Sequence, residues 1–125
     1  MFTHPCRDSL AASVYERVLD GLLEARHELR TIELYESEFR PGRPLPVEHV
    51  EMLTWAESLV LVYPTWWSGQ PALLCAWVGA AAHRGLPTIR TVVCVTTLGG
   101  RRLTNKVSGE SGRHFIRRSV LRSCA

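Results

Sequence analysis

Lysine is almost missing from this chain: Lys106 stands alone among fifteen cations, and every other one is arginine. That bias is read as genome composition before function. Long hydrophobic runs are missing too. None reaches the roughly 18 apolar residues that a membrane span needs, and the amino terminus shows no charged region followed by an apolar core, so no secretory signal is read. Cys6, Cys75, Cys94 and Cys124 make no CxxC pair. Cys75 and Cys94 sit in apolar segments and are expected as buried thiols, which places the chain in a reducing, cytoplasmic setting. His27, His49 and His83 lack metal-ligand spacing and are expected at the surface, so no metal site is read. Neither a GxxxxGK[ST] loop nor a GxGxxG fingerprint is present. With no repeat, low-complexity stretch or linker, the 125 residues read as one domain, 1–125. That length allows a real core but is small for a complete doubly wound sheet.

What is present alternates between helix and strand patterns. Leu10, Val14, Val18 and Leu22 recur every four residues, which predicts an amphipathic helix from Ser9 to about Arg26 capped by Asp8 or Ser9. Residues 29–34 mix polar and apolar types, as a half-exposed edge strand does. Pro41, Gly42, Pro44 and Pro46 mark a loop. Val47, Val50, Leu53 and Thr54 then predict a short helix against the sheet. Residues 58–63 are a solid apolar run that stops at Pro64, the pattern of a strand buried on both faces. Pro71 suits the first turn of a helix to about Ala82. Thr88 to Val95 is the next strand, with Thr96–Gly100 as its loop, and a basic helix is expected at about 112–123. Strands alternating with helices argue a parallel sheet covered on both faces.

The loop Pro64-Thr65-Trp66-Trp67 is the most telling segment. Neighbouring side chains diverge, so two adjacent tryptophans do not both enter one core, and ligands of open α/β sheets sit beyond the carboxyl ends of strands. The alternative is that both merely close the sheet end. Pro64-Thr65-Trp66-Trp67 with Pro71-Ala72-x-Leu74 resembles the flavin-binding loop of the flavodoxin-like NAD(P)H:quinone oxidoreductases, the DT-diaphorase-like and drug-activity-modulator-like reductases. His4-Pro5 with Ser9-Leu10 resembles their His-Pro-x-x-x-Ser-Phe phosphate loop, with leucine for phenylalanine. Glu33-Leu34-Tyr35 with Phe39 and Pro41, and Thr96-Thr97-Leu98-Gly99-Gly100, resemble two further segments in the same order. The resemblance covers nearly the whole chain.

It implies an α/β flavodoxin-like three-layer sandwich with a parallel sheet of order 2-1-3-4-5, the first strand truncated to Met1–Thr3 and the fifth missing. It implies a flavin, FAD with FMN as the alternative, and NAD(P)H as co-substrate for two-electron reduction of a quinone-like acceptor, in a possible homodimer. His4, Ser9 and Leu10 would serve the flavin phosphate at a helix N-terminus; Pro64, Thr65, Trp66 and Trp67 would wall the ring. Thr96, Thr97, Leu98, Gly99 and Gly100 would supply donors to its edge. Taken alone, Ser9 is equally an ordinary N-cap and the two glycines an ordinary turn. No catalytic acid or base is assigned, because Arg101-Arg102-Leu103-Thr104 stands where the family has a tyrosine and a histidine. The family's Asp-Arg after its tryptophan is absent from Trp77-Val78-Gly79, and its following loop shrinks to Ala80–Gly85. The rival reading is a non-catalytic truncated remnant, or a weak flavin-binding module.

The net charge of +3 conceals a division. Residues 1–57 carry eleven acidic and six basic side chains; residues 58–125 carry nine basic ones and only Glu110. Arg101, Arg102, Lys106, Arg113, Arg117, Arg118 and Arg122 suit the phosphates of NADPH or a solvated helix face. No aromatic interleaving or nucleic-acid module accompanies them, so nucleic acid is disfavoured as a partner.

Overall fold

The structure, a computed structural model, describes residues 1–67 and 69–98 and the single positions 114, 117 and 118. The basic helix expected at about 112–123 and the site glycines Gly99 and Gly100 therefore fall outside what is described, apart from those three positions. The elements run α1 (Leu10–Glu24), α2 (Val47–Trp55), β1 (Ser58–Thr65), α3 (Ala72–Arg84) and β2 (Thr91–Leu98). β1 and β2 pair in parallel from Ser58↔Thr91 to Thr65↔Leu98, and a parallel pair needs a crossover, here α3.

Residues 1–3 lie on the other side of β1. Phe2 bridges in parallel to both Glu33 and Val62. Its N–H donates to the Ile32 carbonyl at 2.8 Å, its carbonyl accepts from Leu34 at 2.9 Å, and the Thr3 N–H donates to the Val62 carbonyl at 2.9 Å. The order across the sheet is thus 33, 2, 62, 95, the 2-1-3-4 sequence expected of this fold. The expected edge strand 29–34 is reduced to that one bridge at Glu33, because its partner line is only three residues long.

Two apolar clusters cover the two faces. Alternation along β1 sends Val62 with Phe2 to one face, where Ala11, Ala12 and Tyr15 of α1 close over them. Leu59, Leu61 and Tyr63 go to the other, against Leu53 of α2 and Leu74, Trp77, Val78 and Ala81 of α3. Each fully buried aliphatic side chain there is worth about 1.5–3 kcal/mol. The three-layer α/β arrangement expected from the sequence is the one observed.

Several local expectations are corrected. The stripe Leu10, Val14, Val18, Leu22 is buried only in part: Val14 and Val18 pack against the cluster under α1, but Leu10 is 71% exposed and the deepest positions are Ala11, Ala12 and Tyr15. Leu10 opens the helix beyond the end of the sheet, so nothing covers it. Val47 is 73% exposed, while His49 is buried together with Leu53. Residue 49 was expected at the surface; helical spacing places it one turn before Leu53 on the inner face. Cys75 is exposed and Cys94 only half-buried, because α3 buries 74, 77, 78 and 81 and turns 75 outward. β2 begins at Thr91 and continues through Leu98, so Thr96, Thr97 and Leu98 are strand residues and not loop. Helix α3 runs to Arg84 and ends on Gly85, whose φ of 86° suits glycine, so the segment expected as a short loop is mostly helix.

His49 and Trp77 form the one buried polar contact between side chains of α2 and α3 among the described residues. The indole N–H of Trp77 donates to His49 Nδ1 at 3.1 Å, which fixes the imidazole as neutral with its proton on Nε2. Burial lowers the pKa of His49, opposed by the Glu48 carboxylate. The unfolded chain therefore binds a proton near pH 6.5 that the native chain refuses. Stability from this group is complete above that pH and is lost on acidification below it, with a limiting slope of about 1.4 kcal/mol per pH unit. Urea midpoints between pH 7.5 and 5 are expected to fall for the native chain and to fall less steeply in His49→Gln, where the buried Met1 ammonium, its pKa lowered to about 6 by desolvation, still contributes. Equal slopes for the two chains would remove His49 from the account.

Candidate functional site

The carboxyl ends of β1, β2 and the amino-terminal line converge on one edge of the molecule. Ser9 has extended backbone and caps α1, its hydroxyl accepting from the Ala12 N–H at 3.1 Å. The amides that open the helix have no acceptor within it, and with the helix dipole they form a seat for an anion. Leu10, the first helical residue, projects into solvent there. Between strand and helix, His4 is held by its loop: the Cys6 N–H donates to His4 Nδ1 at 2.9 Å. The same nitrogen lies 2.9 Å from the Cys6 carbonyl oxygen, so the backbone of Cys6 holds the ring on its Nδ1 side and leaves Nε2 outside that contact.

The tryptophan segment is a tight turn. Trp66 and Gly69 exchange both backbone hydrogen bonds, at 2.9 and 2.8 Å, and Trp67 at the turn has a φ of 49°. A bulky residue in the left-handed region costs energy that only its surroundings can justify. Its side chain is fully exposed and gains nothing from packing, while Trp66 is 40% exposed. Neither tryptophan belongs to the core. The reading that they merely close the sheet end fits Trp66 in part and Trp67 not at all.

Trp66 leans on the other half of the site. Its ring meets His4 edge-on at 5.5 Å and 63°. His4 stacks loosely on Phe2 at 6.4 Å, and Phe2 on Tyr15 at 4.7 Å and 14°. Four aromatic rings thus lead from under α1 to the sheet end. The linear sequence hides this line, because its members are residues 2, 4, 15 and 66; the alternating positions 2 and 4 in an extended segment were the available sign.

Pro64 is buried within β1. It lacks a donor, but alternation turns that nitrogen toward Thr3 and away from β2, so the β1–β2 ladder loses nothing. Thr65 and Thr96 link the two strand ends through their hydroxyls at 2.6 Å. Thr97 and Leu98 pair with Pro64 and Thr65 in the last rungs of the sheet. Of the residues expected at the site, His4, Ser9, Leu10, Pro64, Thr65, Trp66, Trp67, Thr96, Thr97 and Leu98 therefore lie at one end of the sheet; Gly99 and Gly100 are outside the described residues. One buried polar atom close by, Thr3 Oγ1, is without a partner among the described residues. An orphaned polar atom at a sheet end is consistent with a site completed by a ligand.

The family profile described as a flavodoxin-like fold matches residues 1–122, and the chain belongs to that family. It is 26% identical over 102 residues to the uncharacterized NAD(P)H oxidoreductase YcaK of Escherichia coli strain K12, an alignment that takes in 69% of this chain and 52% of that protein. The chain thus spans about half the length of that relative. Among solved structures, it is similar to the NAD(P)H:quinone oxidoreductase from Methanothermobacter marburgensis, with a TM-score of 0.75 and 29% identity over 98% of this chain and 73% of the other. The resemblance read from the four motifs is supported by both relatives. Among the described residues no helix is long and apolar enough to cross a membrane.

Proposed function

We propose that this chain binds a flavin and acts in NAD(P)H-dependent oxidoreduction, reducing quinone-like acceptors by two electrons. The observation that carries the reading is the fully exposed Trp67, held at positive φ next to Trp66, whose ring meets His4. The residues fit the group. The α1 amides, Ser9 and His4 suit its phosphate, and Leu10 lies beside them. Trp66 and Trp67 offer a flat apolar wall, backed by Pro64. The hydroxyls of Thr65 and Thr96 and the backbone of Thr97 and Leu98, at the same strand ends, are proposed for the polar edge of the ring, with Gly99 and Gly100 following in sequence.

When bound, a flavin supplies the capacity to take up a hydride from a reduced nicotinamide and pass two electrons to an acceptor. The chain's own part is to bind, stack and orient, which is sufficient for a reaction that gains chiefly from alignment. No side chain is assigned as acid or base. The names of the two relatives support NAD(P)H as donor and, in one, a quinone as acceptor. FAD is the proposed flavin, with FMN as the alternative that chromatography of released cofactor distinguishes. The proposed setting is cytoplasmic, with a homodimer as the proposed assembly.

Replacing Trp66 and Trp67 together by leucine tests the site. Aromatic pairs are worth about 0.5–1.5 kcal/mol beyond area burial, so flavin affinity is expected to fall about ten-fold. The apoprotein melting point should barely move, since both side chains are largely exposed in the folded chain. Flavin titration beside apoprotein melting reads both quantities. Unchanged affinity would end the binding-site assignment, and a native chain that takes up no flavin would favour the non-catalytic reading.

A further inference from the structure

A polar cleft of about 280 Å³ lies between the chain at 31–37 and α2. None of the residues proposed for the flavin lines it. Ile32 and His49 are buried and Met52 is half-buried, so these three make its floor. Glu33, Glu36, Glu48 and Arg7 reach solvent and make its rim.

The floor carries an unsatisfied donor. His49 is only 4% exposed, and its Nδ1 accepts from the indole N–H of Trp77, so the ring proton sits on Nε2. The two ring nitrogens point in roughly opposite directions. With Nδ1 turned inward to Trp77, the Nε2–H is turned outward to the cleft, and it has no acceptor among the described residues. A donor buried that deeply is costly to leave unpaired. Ser37 does not serve it, because its hydroxyl already donates to the Leu34 carbonyl at 2.8 Å and accepts from the Phe39 N–H at 3.3 Å.

The rim is short of cations. Arg7 with Glu33 is the one ion pair among the described residues. Arg40, close by in sequence, donates instead to the carbonyls of Ser37 and Phe39. Glu36 and Glu48 therefore keep their charges uncompensated around the cleft, and Glu48 is near enough to act on the His49 ring.

These two features select a ligand. An anion would meet two uncompensated carboxylates. A metal ion gains nothing from a nitrogen that carries a proton, and no three metal-binding side chains stand together among the described residues. A plain amine suits the rim but brings only donors to a donor, while a neutral alcohol suits His49 and leaves the carboxylates as they were. We propose that the cleft binds a small amino alcohol, its ammonium against Glu36 and Glu48 and its oxygen accepting from His49 Nε2–H. The carbon skeleton then lies over Ile32 and Met52.

Three probes of one shape test this on the full chain at pH 7.5: trans-2-aminocyclohexanol, cyclohexylamine, which lacks the oxygen, and cyclohexanol, which lacks the charge. Each is titrated while the His49 ring nitrogens are followed by NMR. The amino alcohol is expected to saturate with a dissociation constant on the order of 1–10 mM, an ordinary affinity for so small a ligand. Its largest shift should fall on His49 Nε2. Each of the other probes should bind at least about five-fold more weakly. Glu36→Gln combined with Glu48→Gln, both on exposed side chains, is expected to lower the amino alcohol to the affinity of cyclohexanol and to leave cyclohexanol itself unchanged. A native chain whose His49 shows no saturable shift would overturn the site. So would cyclohexylamine or cyclohexanol binding as well as the amino alcohol, or an amino-alcohol affinity that the double substitution does not move.

Discussion

Trp77→Ala is expected to lower stability by about 3–5 kcal/mol, the range for deleting a large buried aromatic side chain. Trp77 has no exposed surface and sits where α3 meets the sheet, with His49 of α2 edge-on at 6.3 Å. The loss combines a cavity in the larger of the two apolar clusters with an imidazole nitrogen left unpaired. A small domain holds only about 5–15 kcal/mol in total, so the variant should be marginal or unfolded at ambient temperature. Urea unfolding followed by circular dichroism measures it. Trp77→Phe separates the two contributions: it keeps most of the apolar volume and removes the donor, and is expected to cost about 1–3 kcal/mol. A Trp77→Phe chain as stable as the native one would mean that the hydrogen bond to His49 contributes nothing net.

Phe2→Ala is the second large effect, again about 3–5 kcal/mol, although Phe2 stands one residue from the amino terminus. It is buried, stacks on Tyr15 at 4.7 Å, and its backbone joins residue 33 to residue 62. Its consequence differs from that of Trp77. Phe2 supports His4, and His4 meets Trp66, so flavin affinity should weaken even at a temperature where the variant remains folded. Phe2→Leu keeps the apolar contact with α1 and loses only the ring line. It is expected to recover most of the stability but not all of the flavin affinity. If Phe2→Leu restored both equally, the aromatic line would be packing alone.

Much of the fold was legible because the chain's strongest patterns are local. Residues 58–63 form an uninterrupted apolar run, and such a run next to a proline has few uses other than a strand covered on both faces. The structure places Leu59, Leu61 and Tyr63 in one cluster and Val62 in the other. Asp8 or Ser9 before an apolar repeat was the expected cap of α1, and Ser9 is the one that caps it. The errors on α1 and α2 share one cause. Periodicity reports which residues lie on one side of a helix, but it does not say which side meets the sheet. Leu10 and Val47 matched the pattern and lie in solvent, while Ala11, Ala12 and His49 do the packing.

The candidate site was legible as a set of motifs and not as a geometry. Residue types by themselves set the strand and helix order, the tryptophans beyond a strand end, the capped anion seat of α1 and the acidic and basic halves of the chain. Each of these is a property of neighbouring residues, whose spacing and chemistry are already fixed along the chain. Tertiary structure decided the rest: that Trp67 stands clear at positive φ, that Thr65 and Thr96 share a hydrogen bond, that His49 accepts from Trp77, and that residues 15, 2, 4 and 66 line up their rings. Those contacts join residues from 2 to 62 positions apart. They exist only once burial of the two apolar clusters has fixed the register of the strands and the rotation of each helix, which no local pattern specifies.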